Sequence, residues 1–469
     1  MKILSKKSSL SGEITVPGSK SHTIRALLFS SIAEGTSHIK NPLPGADCIS
    51  SSQAVKLFGA KVDISNNSEW IVEGAGKNAH LPSNVVDCGD SGSLLYFMSP
   101  MAAIFDGFSV FTGDESLRTR PVLHLLDALK QMGAQAYTLS KEKNSCPVII
   151  KGPVKENQSI TTDGKLSQYI SGIMMASTQL NGKTHITLTD PKETPFLEMT
   201  CQWLKELGAK VEHTEDFKSI TVTGPTPFKS FTKTIPSDWE AVAFPLIAAI
   251  LTDSHITIKN IDDSKTQGDR AIVDILKSIG ADITEQKTSS GTDLIVKGGK
   301  FSKNKGFLST ENHPDSTLHV NISGFPDAIC ALSVCAAFTQ GKIVIDDVEV
   351  CRKKETDRVK VLQEHLSKLG AKIYIDGNSL IIEGKSKFLK SGEKNPDFAL
   401  KGGTIESYND HRIAMAFACM GLALEENQEI IINNAECSSV SFPDFYNVMN
   451  KINAGFQKFK KLKKFNFEV

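Results

Sequence analysis

Leu204-Lys205-Glu206-Leu207-Gly208-Ala209-Lys210-Val211 reads as the last turn of a helix, a glycine cap and the start of a strand. Glycine just after the last apolar helical position suits a left-handed C-cap. The pattern recurs at Leu57-Phe58-Gly59-Ala60-Lys61-Val62, Leu129-Lys130-Gln131-Met132-Gly133-Ala134, Leu276-Lys277-Ser278-Ile279-Gly280-Ala281 and Leu366-Ser367-Lys368-Leu369-Gly370-Ala371-Lys372-Ile373. A degenerate sixth copy stands at Met449-Asn450-Lys451-Ile452-Asn453-Ala454-Gly455. After each of the first five, a second strand ends in glycine, at Gly74, Gly152, Gly224, Gly298 and Gly384. Each unit is helix, cap, strand, turn, strand, with a spacing of roughly 70–90 residues, longer than solenoid repeats. Six units predict an α/β (α+β) chain of two domains with three blocks each.

The 469 residues leave room for two or three cores, and 40% apolar content is ordinary for a globular chain. Basic and acidic residues number 53 each, so no overall field draws nucleic acid or a membrane surface. Nine scattered cysteines without a Cys-x-x-Cys pair predict reduced thiols and a cytoplasmic location. No apolar run follows Lys2, Lys6 and Lys7 as a signal peptide would require, and the apolar runs near 244–251 and 328–338 are too short to span a bilayer.

The stretch Val16-Pro17-Gly18-Ser19-Lys20-Ser21-His22-Thr23-Ile24-Arg25-Ala26-Leu27 reads as a strand end, a turn and a helix start. It puts the Lys20 ammonium, the Ser21 hydroxyl, the Arg25 fork and free backbone N–H groups at a helix N-terminus, where an anion is favoured. The spacing of a phosphate-binding P-loop is absent. Three later stretches carry concentrated polar chemistry before apolar helices: Gly324-Phe325-Pro326-Asp327-Ala328, Lys353-Lys354-Glu355-Thr356-Asp357-Arg358 and Asn409-Asp410-His411-Arg412. In the second, Lys354 and Arg358 stand at i and i+4 and are expected on one helical face beside Glu355.

Pro-Gly-Ser-Lys-Ser-x-Thr-x-Arg-Ala-Leu, Lys-Glu-Thr-Asp-Arg and Asp-His-Arg, in this order and between these repeats, resemble the enolpyruvyl transferase family, on its shikimate-directed branch. The resemblance spans about residues 11 to 450. It implies a two-lobed inside-out α/β barrel, each lobe of three β-α-β-α-β-β repeats. The first lobe would take residues 20–235, the second 1–19 plus 236–457, with crossings at the first motif and at Lys233–Trp239. Residues 458–469 would form a solvated basic tail, with Lys458, Lys460, Lys461, Lys463 and Lys464 between Phe459, Phe465 and Phe467.

The activity so implied moves the enolpyruvyl group of phosphoenolpyruvate to the 5-hydroxyl of shikimate 3-phosphate and releases phosphate. The resemblance makes Asp327 the base toward that hydroxyl, Glu355 the acid/base at the methylene carbon, and Lys20 the bridge between substrates. Shikimate 3-phosphate would be held by Lys20, Ser21, Arg25, Ser167, Gln168, Asp327 and Lys354. Phosphoenolpyruvate would be held by Lys20, Gly92, Arg120, Gln168, Arg358 and Arg412, with Asp47 and His411 in support. No cofactor or metal is called for, and a monomer with only small-molecule partners is expected.

The chain departs from the family pattern at several points: Asp90 for Asn, Ser93 for Thr, Tyr96 for Arg, Leu166 for the first serine of Ser-Ser-Gln, and Val440 for Lys. Lys192-Glu193-Thr194-Pro195-Phe196 lacks the serine seen before Lys/Arg-Pro-Tyr. Two rivals therefore stay open: a paralogue that binds ligands without turnover, and a UDP-N-acetylglucosamine enolpyruvyl transferase. The latter would show Lys-Asn in place of Lys20-Ser21.

Overall fold

Among the described residues, six four-stranded sheets share one pairing scheme. In one of them Ser159–Thr162 runs parallel to Gly182–Leu188, which pairs antiparallel with Ser219–Gly224, itself antiparallel to Lys210–His213. These sheets belong to a computed structural model that describes residues 1–140, 142–288 and 291–459.

Each unit contributes two helices. In chain order they are α1 (Lys20–Ile32) and α2 (Ala46–Leu57), α3 (Gly92–Ala102) and α4 (Leu123–Gln131), α5 (Ser167–Ser177) and α6 (Thr194–Glu206). They continue with α7 (Trp239–Ile250) and α8 (Ala271–Ser278), α9 (Ile329–Ala337) and α10 (Arg358–Lys368), α11 (His411–Ala423) and α12 (Phe445–Lys451). The first helix of each pair is buried almost all round, as for α7, α9 and α11, in which every residue is buried. An α-helix without a polar face belongs inside a core. The second helix is amphipathic; α8 buries only Ile272, Val273 and Leu276. Odd-numbered helices thus pack inside and sheets lie outside. One core runs from Ile24 to Ile235 and takes in Val350, and the other combines Ile3–Val16 with 239–456.

The chain passes between the cores twice, and the passages lie side by side. Gly18 bridges Ser237, Ser19 N–H donates to Pro236 O at 2.7 Å, and Asp238 N–H donates to Pro17 O at 2.9 Å. The passages also exchange strands. Ser11–Thr15 joins the sheet of His255–Ile261, whereas Thr232–Thr234 joins that of Thr36–Lys40.

The sixth repeat looks degenerate because its last strand comes from the other end of the chain. Gln457–Phe459 pairs with Lys2–Lys6, which in turn pairs with Glu429–Asn433. The tail expectation is corrected at Lys458 and Phe459, which form a sheet edge; residues 460–469 lie outside the described residues.

Both glycine signals have a structural cause. The cap glycines Gly59, Gly133, Gly208, Gly280 and Gly370 have φ of 105°, 93°, 88°, 101° and 96°, and Asn453 takes the same place in the sixth unit at φ 73°. The strand-end glycines let the sheet touch the C-terminal carbonyls of the inner helices: a Cβ on Gly74, Gly152 or Gly298 would collide with Ala33 O, Ala103 O or Ala249 O. We expect Gly298→Ala to lower unfolding stability by about 1–3 kcal/mol, the scale of overpacking in a close-packed interior. An unchanged urea midpoint would contradict this tight approach.

Candidate active site

All six inner helices aim their N-termini at one cleft between the two cores. Lys20 and Ser21 of α1, Gly92 and Ser93 of α3, and Ser167 and Gln168 of α5 line one wall; Glu240 of α7 and Asp327 just before α9 line the other. The start of α11 joins through Arg412, whose guanidinium pairs with Asp327 at 3.1 Å and with Glu240. Free N–H groups at these ends favour negative charge in the cleft. Side-chain caps explain several of the starts: Ser19 accepts from His22 N–H, Ser91 from Leu94 N–H, and Asp410 from Arg412 N–H. Asp238 caps α7 and also accepts from Lys20 N–H at 3.0 Å, so the second passage holds the first motif.

Five cations line the cleft: Lys20, Arg25, Arg120, Lys353 and Lys354. Lys20 pairs with Asp47 at 3.2 Å. Burial disfavours its charge, but Asp47, Glu240 and Glu355 outweigh this and raise its proton affinity. Arg25 is different, since Thr200 Oγ1, Phe196 O and Ser21 O take its donors at 2.9–3.1 Å and the ring of Phe97 covers it. Burial pushes it down to about 9, so it stays charged at neutral pH. Arg120 donates to Asp90 at 2.6 Å and lies 3.9 Å from Glu355, with its buried Nε unpartnered. Gly92 makes room for it, because a Cβ there would stand 3.0 Å from Arg120 Nη1.

The carboxylates converge on Arg358, which is fully buried. Its Nε and Nη2 donate to Asp410 at 2.8 and 3.2 Å, Nη1 to Asp327 at 2.5 Å, and Nη2 to Glu355 at 2.5 Å. Burial alone would raise both acids. Lys354, Arg412 and Arg358 override it and hold Asp327 well below the usual carboxylate range, and Arg358 and Arg120 do the same for Glu355. Among the described residues no partner meets either buried ring nitrogen of His411, and burial together with Arg412 keeps it neutral.

Lys20, Ser21, Arg25, Asp47, Gly92, Arg120, Ser167, Gln168, Asp327, Lys354 and Glu355 all meet at this cleft. Arg358, Arg412 and His411 stand behind the carboxylates, outside its lining. Lys354 and Arg358 do not share a helical face as expected. Val350–Lys353 is a 3-10 turn, Lys354 is extended at φ −85° and ψ −153°, and α10 starts only at Arg358 because Asp357 caps it. Glu193 and Glu240 were missed. Glu240 follows Ser237-Asp238, a legible cap, whereas Glu193 owes its place to a left-handed backbone at φ 52° that no local signal announces.

The profile described as EPSP synthase (3-phosphoshikimate 1-carboxyvinyltransferase) matches residues 4–449. A 3-phosphoshikimate 1-carboxyvinyltransferase of Acetivibrio thermocellus is 34% identical over 449 residues, 96% of this chain and 97% of its own. One from Methanocaldococcus jannaschii is 34% identical over 459 residues, 97% and 99% of the two chains. The chain belongs to the EPSP synthase family. The structure of EPSP synthase from Acinetobacter baumannii superposes with a TM-score of 0.77 at 28% identity, covering 97% of this chain and 99% of that one.

Within the EPSP synthase family's pattern, the departures at Tyr96 and Val440 have local accounts. Tyr96 donates its hydroxyl to Pro121 O at 2.7 Å and brings no charge to the wall beside Arg120. Val440 ends a 3-10 turn whose carbonyl abuts Gly45, away from the cleft lining.

His22 ties the cores together below the cleft: Nδ1 accepts from Trp203 Nε1–H at 2.9 Å and Nε2 faces Thr266 Oγ1 at 3.1 Å. Burial, with Arg25 and Lys233, lowers its pKa to about 3. The unfolded chain binds this proton below about 6.5 and the folded chain does not, so the contribution is complete above about 6.5 and shrinks as pH falls toward 3. Urea titrations should show His22→Gln losing less stability than the natural protein between pH 6.5 and 4; parallel losses would contradict the assignment.

Proposed function

We propose that this cleft transfers the enolpyruvyl group of phosphoenolpyruvate to the 5-hydroxyl of shikimate 3-phosphate, releasing phosphate, on the way to chorismate. Family membership supports the reaction, and one observation supports the division of roles: Asp327 and Glu355 occupy the two prongs of a single buried guanidinium, that of Arg358. One fork therefore fixes two carboxylates at a set separation. The family matched is the shikimate-directed one, so neither the UDP-sugar reading nor a purely binding role gains an observation.

Shikimate 3-phosphate is assigned to Ser21, Arg25, Ser167, Gln168 and Lys354, and phosphoenolpyruvate to Arg120 and the N-terminus of α3 at Gly92, with Lys20 between them. Arg25 suits its part because it is charged, buried and, among the described residues, free of a carboxylate partner. Gln168 Oε1, buried without a partner among the described residues, is an acceptor for a substrate hydroxyl. Arg358 orients Asp327 and Glu355 from behind, and Arg412 orients Asp327.

Asp327 takes the 5-hydroxyl proton as the oxygen bonds to C2 of phosphoenolpyruvate, and Glu355 delivers a proton to the methylene carbon. The tetrahedral intermediate then expels phosphate as Glu355 recovers a proton from the same carbon. Glu355 must be protonated for the first step, yet its surrounding cations hold it ionised. The phosphate and carboxylate of phosphoenolpyruvate, seated on Arg120 and Lys20, neutralise part of that field and raise its proton affinity.

Residues 20–235 and 1–19 with 236–457 are assigned as two lobes that hinge at the paired passages, each carrying its own core. Nine buried cysteines, none in a disulfide among the described residues, support a cytoplasmic location. Asp327→Asn and Glu355→Gln should each lower turnover about a hundredfold or more, the scale of general acid–base catalysis. Phosphate release from the two substrates measures it, and near-normal rates would remove these assignments.

A further inference from the structure

Glu193 stands apart among the acids of the cleft. It is 1% exposed and held in a left-handed conformation at the start of α6. One carboxylate oxygen accepts from both the backbone N–H and the hydroxyl of Ser167, each at 2.9 Å. The other accepts from Lys354 Nζ at 2.8 Å, across the cleft, and that ammonium also donates to Asp327 at 3.3 Å. A helix N-terminal N–H, a hydroxyl and an ammonium converging on one anion form a donor set suited to a phosphate.

We infer that Glu193 is the specificity-determining residue of the acceptor's phosphate subsite, an internal anion that occupies the donors of Ser167 and Lys354 and that the 3-phosphate must displace. The inference rests on the reading that Ser167 and Lys354 bind the acceptor. A dianionic phosphate brought to these donors meets a buried carboxylate already bonded to them, and the two anions repel at such range. An acceptor without the phosphate does not pay this displacement. Glu193 therefore compresses the preference for phosphorylated over unphosphorylated acceptor, and Lys192, paired with Asp347 and Asp190, offers no compensating charge within the subsite.

Calorimetric titration of the full-length protein with shikimate 3-phosphate and with shikimate tests this. Charge-assisted hydrogen bonds contribute enough that freeing them should tighten the phosphorylated ligand about tenfold or more in Glu193→Gln and Glu193→Ser. Shikimate should shift less than about threefold on the same scale, a split that loss of structure would not produce. Ser167→Ala checks the underlying reading, since it should weaken shikimate 3-phosphate and leave shikimate alone. If Ser167→Ala changes neither ligand, the acceptor assignment fails. If it weakens the phosphorylated ligand while both Glu193 variants bind that ligand no more tightly than the natural protein, Glu193 is not a competing anion and the inference is overturned. Should neither Glu193 variant fold, the natural protein decides: two unopposed charge-assisted bonds would give roughly a thousandfold preference for the phosphorylated ligand, and Glu193 holds it below about a hundredfold.

Discussion

The buried Arg358 guanidinium, shared by Asp410, Asp327 and Glu355, is the interaction on which the rest of the site depends. A charge wholly removed from water persists only when its donors are fully engaged, and a planar fork meets three carboxylates in a way an ammonium cannot. Each acid comes from a different piece of chain: Asp410 from the cap of α11, Asp327 from the turn before α9, and Glu355 from the loop before α10. Arg358 therefore turns the meeting of three helix starts into fixed carboxylate geometry.

Around it the cleft is nearly neutral. Its lining carries five carboxylates, Asp47, Glu193, Glu240, Asp327 and Glu355, against five cations. Small acids are drawn in less by an excess of lysines than by helix N-termini and by Arg25, the buried cation with neutral partners. Substrate binding in such a site exchanges ion pairs, which makes discrimination among anions sensitive to the internal carboxylates as much as to the cations. Tyr96, where the family has Arg, lines the cleft without a charge and shifts the balance the same way.

Much of the fold was legible. Five Gly-Ala caps and a degenerate sixth copy mark the repeat, because a left-handed C-cap leaves a local trace, and Pro17-Gly18 with Ile235-Pro236 mark the passages. The strand exchange between Ser11–Thr15 and Thr232–Thr234 was not legible, since both strands suit either sheet and only the three-dimensional path decides. The closing of the sixth sheet by Lys2–Lys6 and Gln457–Phe459 joins residues at opposite ends of the chain. At the site, the motifs yielded the cations and both acid–base candidates. What they could not yield was the partner each side chain takes: Lys354 reads as a helical neighbour of Arg358 yet reaches Glu193 and Asp327, and the Arg358 guanidinium meets three carboxylates.

We propose that Arg358 acts by orienting Asp327 and Glu355 and not by holding phosphoenolpyruvate. Steady-state kinetics of Arg358→Lys, which keeps the charge and removes the fork, test it most directly. The account predicts a turnover lower by about a hundredfold or more with KM for phosphoenolpyruvate within about threefold of the natural protein. A large rise in that KM with turnover preserved would contradict it.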